Sequence, residues 1–136
     1  MRNFQTLSKV TLDSDAEVLY VRAEPETEGS SMVALKQEGG YIVISVSHGP
    51  IEIALRPRLQ ELTRVLARLK PVEGLQTTRQ VGTGEAYISL GLAGDGSLLL
   101  RPTIVADATG HLTFNLILTD AARAKLFEWL PVTPES

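Results

Sequence analysis

GPIEIAL, residues 49–55, and GHLTFNL, residues 110–116, are the two stretches whose reading decides how this chain is built. Each sets apolar residues at alternate positions, the period of a strand with one buried face. They match position by position: Gly49 with Gly110, Ile51 with Leu112, Ile53 with Phe114, Leu55 with Leu116. Each is followed by an amphipathic helical stretch and then Pro-Val. The first runs over about 57–70 into Pro71-Val72, the second over about 120–130 into Pro131-Val132. A layout that occurs twice predicts two copies of one supersecondary unit.

Upstream of the first stretch, residues 4–12, 17–23, 32–37 and 41–47 alternate as strands, and Glu38-Gly39-Gly40 is a hairpin signal because glycine accepts positive φ. Residues 57–70 carry Leu59, Leu62, Leu66 and Leu69 at three- and four-residue steps, one apolar stripe with Glu61, Arg64 and Arg68 opposite. Pro57 suits a first helical position and Pro71 stops the helix. The second copy reads as strands over 76–81, 85–92, 97–105 and 112–118. A shorter helix follows, capped by Thr119 or Asp120, with Ala122, Leu126, Trp129 and Leu130 as its apolar face. The expected fold is a single α+β domain of two pseudo-duplicated antiparallel sheet units, each ending in one helix (β5α, then β4α). The repeats cover about 1–72 and 73–132, and 133–136 form a tail.

At 136 residues the chain is long enough for one well-buried core. Its 43% hydrophobic and 21% charged residues describe a globular protein rather than a disordered one. No apolar run approaches the ~18 residues of a membrane span, and the opening residues alternate without a signal-peptide core. Cysteine is absent, which removes disulfides, thiolate catalysis and cysteine-ligated metals and fits a reducing compartment, so the expected location is cytoplasmic. The formal net charge is -3, unevenly spread. Asp13, Asp15, Glu17, Glu24, Glu26 and Glu28 face only Arg22 in one segment, whereas Arg56, Arg58, Arg64, Arg68 and Lys70 face only Glu61 in another. An acidic end and a basic helix follow.

No reaction is encoded by a motif. His48 and His111 each sit beside the glycine of an equivalent turn and read as solvent-facing turn residues, not metal ligands. Ser45 and Ser47 flank His48, but Gly-x-Ser-x-Gly and an orienting acid are missing. Gly82, Gly84, Gly91, Gly94 and Gly96 lead into strands, not the helix that a dinucleotide fingerprint requires. The expectation is therefore a non-enzymatic binding module with no cofactor and no metal. Arg22, Lys36, Tyr41, Arg79, Tyr87 and Arg101 lie on or beside strands. A sheet carrying basic and aromatic residues is the usual platform for stacking unpaired bases, so single-stranded DNA or RNA is the expected partner. The alternative is a protein partner or a second copy engaging the acidic end and the basic helix. No membrane is expected.

Two sheet units each closed by a helix, over roughly residues 17–130, make a layout that resembles the Whirly proteins and the related single-stranded-DNA-binding transcriptional coactivators. It is also similar to that of a group of small cyanobacterial proteins. In the coactivators one β₄α unit per chain dimerises through its helix; in Whirly-like chains both units are covalently joined. The likeness is one of topology, since the lysine-glycine-lysine signature of plant Whirlies is not present here. It implies a pseudo-symmetric fold and a single-stranded nucleic-acid partner.

Overall fold

Alternation of apolar and polar residues sets the first sheet. In the computed structural model, which describes residues 4–24, 30–72, 79–107, 109–130 and 132, a short β1 (Gln5–Leu7) precedes an antiparallel meander. The meander is β2 (Lys9–Asp13), β3 (Val18–Arg22), β4 (Ser31–Glu38), β5 (Tyr41–His48) and β6 (Ile51–Leu55), in that spatial order. Gly39, at φ +60°, makes the β4–β5 reversal. Leu19, Val21, Val33, Leu35, Ile44 and Val46 form the buried face, and register stacks Leu19 on Leu35 and Val33 on Val46.

Helix α1 (Leu59–Arg68) leads through β7 (Pro71–Val72) to β8 (Arg79–Gly82), β9 (Ala86–Ala93), β10 (Leu98–Ala106), β11 (Gly110–Thr113), β12 (Leu116–Leu118) and α2 (Asp120–Trp129). The second sheet has seven strands, with β1-β12-β10-β9-β7 as its spine, β11 on β10 and β8 on β9. The fold is thus α+β, mostly sheet, with two helices among the described residues. Neither helix is long and apolar enough to cross a membrane.

Three expectations change. Residues 4–12 are not one strand: β1 runs parallel to β12 in the second sheet while β2 stays in the first. Leu7 and Val10 are three residues apart, so a period of two cannot bury both on one face; the chain changes sheets at Ser8, whose N–H donates to Arg22 O at 2.9 Å. Residues 112–118 are likewise divided. The register Leu100↔Leu116 and Thr103↔Thr113 is continuous, but Pro102 has no N–H to give, and only the Phe114 N–H to Pro102 O bond of 3.1 Å remains there. Finally, Pro57 lies two residues before the first residue of α1, whose N-cap is Arg58. The loop over 25–29, residues 73–78, Pro131 and the tail at 133–136 lie outside the described residues.

Both sheets turn their apolar faces to one interior, which both helices help to fill. Val21, Leu35 and Ile44 of the first sheet meet Leu90, Leu100 and Leu118 of the second, with Leu62, Leu66, Leu126 and Leu130 from the helices. The free space among them is about 10 Å³, no more than one water needs. The leucine stripe of α1 is core at Leu62 and Leu66 and half-buried at Leu59 and Leu69. Thr119 caps α2, its hydroxyl accepting from Ala122 N–H at 3.2 Å. Arg123 ties that helix to the β9–β10 turn by donating to Gly96 O at 2.8 Å and to Asp120 at 2.6 Å.

Candidate nucleic-acid interface

Because the apolar faces point inward, the opposite face of each sheet carries whatever polar chemistry the strands contain. On the five-stranded sheet the register lays out rows across the strands. Lys9, Arg22, Met32, Ser47 and Glu52 form one; Thr11, Tyr20, Ala34, Ser45 and Ala54 form the next. Asp13, Val18, Lys36 and Val43 form a third. Beyond it Tyr41 stands between Glu38 and Arg58, which it meets through an isolated bridge.

Two guanidinium groups lie on tyrosine rings of this face. Arg22 Cζ is 4.6 Å from the Tyr20 ring centre and Arg56 Cζ is 4.7 Å from that of Tyr41, within cation–π range. Strand spacing and rise put the two tyrosines roughly 17 Å apart, too far to sandwich one base and far enough to serve separate ones. Between them lie Lys36 and Val43, while Ala34, Ser45 and Ala54 continue the row of Tyr20 with small side chains. Lys9, Arg22, Lys36, Arg56 and Arg58 outnumber Asp13, Glu38 and Glu52 there, although the chain as a whole carries -3.

The outer face of the seven-stranded sheet differs in kind. It forms an open trough of about 970 Å³ floored by the row Gln80–Ser89–Arg101 and, next to it, Tyr87–Thr103–Thr113. Arg101 Nε donates to Asn115 Oδ1 at 2.9 Å, and the hydroxyls of Thr103 and Thr113 are 3.2 Å apart. Ser89 and Thr103 are almost fully buried. Apart from Arg101 and His111, its polar lining is hydroxyls, amides and Asp107, which suits an uncharged polar ligand better than a polyanion.

The six strand-borne residues singled out from the sequence therefore fall in three places. Arg22, Lys36 and Tyr41 share the outer face of the five-stranded sheet. Tyr87 and Arg101 are diagonal neighbours in the trough, and Arg79 is exposed on β8, on the same side as the inward Val81. Sequence reasoning missed Tyr20, Arg56 and Arg58 as members of the first face. The i, i+2 spacing of Tyr20 and Arg22 was a usable signal; Arg56 and Arg58 needed the knowledge that pairing with β5 continues past Leu55.

His48 is not the solvent-facing turn residue expected. It pairs across the strands with Ser31, and its Nδ1 lies 3.0 Å from Ser31 Oγ. The Ser31 N–H in turn donates to Gln5 Oε1 at 2.9 Å, so this partly buried chain of bonds fastens β1 to β4. His111 is exposed. Among the described residues no group of three or more His, Asp or Glu is placed to hold a metal ion. The exposed Asp95 carboxyl is held below the ordinary carboxylate value by the Ser97 backbone N–H. Comparison with protein-family models, curated proteins and solved structures finds no match.

Proposed function

We propose that the chain is a non-enzymatic module that binds single-stranded nucleic acid across the outer face of its five-stranded sheet. The observation that carries this reading is the group around Tyr41: a ring with one guanidinium stacked on it and Arg58 directly opposite. Arg58 is also the N-cap of α1, a position where Ser, Thr, Asp or Asn satisfies helix N–H groups and a cation opposes the helix dipole. A locally unfavourable residue kept on a basic, aromatic surface is what a binding role accounts for. Phosphates would meet the cations while bases stack on Tyr20 and Tyr41.

The Whirly-like pseudo-duplication belongs to the same proposal. Its support is burial: Ile51 and Leu112 are exposed, Ile53 and Phe114 buried, Leu55 and Leu116 buried. Each stretch precedes a helix of ten residues. An experimental structure in which no rotation superposes β4–β6 with α1 on β9–β12 with α2 would end it.

Fluorescence anisotropy with labelled oligothymidine at low salt tests the binding. Affinity should fall steeply with salt and depend little on base sequence. Tyr41→Ala and Lys36→Glu should each weaken it several-fold, whereas Arg64→Glu on α1 should not. An unchanged anisotropy up to about 100 µM protein, where non-specific binders already respond, would transfer the case to a protein partner, for which the exposed Leu12 is the favouring feature.

A further inference from the structure

The five-stranded sheet ends at β6, and among the described residues no strand pairs with its outer edge. Which backbone groups face that edge follows from one bond. Ile42 donates its N–H to Pro57 O at 3.0 Å, so the hydrogen-bonded pairs between β5 and β6 recur at Ile44–Leu55, Val46–Ile53 and His48–Ile51. Glu52, Ala54 and Arg56 alternate with these, and their N–H and C=O groups point away from β5. All three residues are exposed, as is Ile51 at 47%. The edge carries no lysine, internal proline or bulge, and the two charges on it, Glu52 and Arg56, are of opposite sign.

Its side chains are complementary to themselves. We propose that β6 pairs antiparallel with the β6 of a second copy about a twofold axis through Ala54, which joins two five-stranded sheets into one. The axis sets Ala54 against Ala54 and Glu52 of each copy against Arg56 of the other. These are the residues whose backbone groups face outward, so each pair can exchange two hydrogen bonds. Both charge pairs are then opposite in sign, and alanine at the axis keeps the centre free of bulk. Ile51 meets Pro57 of the other copy. The missing N–H of Pro57 costs nothing there, because that position faces β5 and not the new neighbour.

The opposite edge of the sheet is less suited. There Lys9 and Asp13 flank Thr11, but the Ser8 N–H to Arg22 O bond and the register from it turn the backbone groups of Lys9, Thr11 and Asp13 toward β3, away from that edge. Helix α2 packs against β2 as well. The inference does not rest on nucleic-acid binding, and its test is free of nucleic acid.

Sedimentation equilibrium of the wild-type chain should show a reversible monomer–dimer equilibrium with Kd of roughly 10–300 µM, as fits an interface well below the ~1,200 Å² of standard complexes. Glu52→Arg and Arg56→Glu each set like charges opposite one another and should raise Kd about tenfold or more. An equimolar mixture of the two variants restores opposite charges at both contacts and should recover the dimer, a result that loss of folding cannot imitate. Ala54→Pro removes an outward N–H that the monomer does not use and should abolish association. A wild-type chain monomeric up to roughly 1 mM would overturn the proposal. So would a dimer indifferent to all three substitutions, or folded charge variants that fail to associate when mixed.

Discussion

At the scale of single residues, backbone conformation separates glycines that look alike in the sequence. Gly82 sits at φ +122°, and a Cβ built there would lie 2.5 Å from the carbonyl oxygen of Ala86. Gly39 sits at φ +60° with nothing within 4 Å. Gly82→Ala should therefore destabilise by about 2–4 kcal/mol, through backbone strain and a clash that no side-chain rotation relieves. Gly39→Ala meets strain alone and should cost about 1 kcal/mol. Urea denaturation of the two variants measures the difference; equal midpoints would mean that the β8–β9 turn is not as described. The same scale explains why part of the candidate interface was legible. Arg22, Lys36 and Tyr41 could be picked by residue type and strand context, and each alternates with an apolar neighbour, Val21, Leu35 or Ile42, that takes the buried face. Arg79 satisfied the same criteria but stands on the inward-facing side of an edge strand. Residue type does not say which of two faces an alternating strand turns outward.

At the scale of elements, the two helices show opposite solutions to the same terminal problem. Thr119 gives α2 a hydroxyl cap, whereas Arg58 gives α1 no side-chain cap. Arg58→Asp supplies an acceptor and replaces a cation with an anion at the positive end of the dipole, so it should raise stability by about 0.5–1.5 kcal/mol. The same substitution should weaken oligothymidine binding several-fold, since it removes a cation beside Tyr41. Paired melting and anisotropy measurements check the trade; a variant that gains stability and keeps full binding would remove Arg58 from the interface. The periodicity of α1 was readable because its leucines recur at helical steps over three turns. The division of residues 112–118 was not, since its cause is Pro102 on the neighbouring strand. A proline removes a donor from whichever strand lies beside it, and that neighbour is chosen by the fold.

At the scale of the whole molecule, the chain crosses between its sheets at both ends of its first half. β1 pairs with β12 and β7 with β9, both parallel, and Leu7 is fully buried. Together with the interior lined by both sheets and both helices, this ties the two halves into one cooperative unit. Calorimetry should show a single transition with equal calorimetric and van't Hoff enthalpies. Two resolved transitions would mean that each half keeps a core of its own.

Local chemistry was enough to determine the meander from β3 to β6, the positions of both helices, the buried stripe of α1, the Gly39 reversal and the presence of basic and aromatic residues on strands. Each depends on the spacing of residues within about one turn or one hairpin, and that spacing is written in the chain. Only the tertiary structure decided that residues 4–12 serve two sheets, that Arg56 lies over Tyr41, that His48 meets Ser31 and that β6 is, among the described residues, an open edge with Glu52 and Arg56 in matching positions. Those outcomes depend on which strands become neighbours and in what register. Neighbours and register are set by the joint burial of Leu7, Leu62, Leu118, Leu126 and the rest of the shared core, an energy that no short stretch of the sequence carries alone.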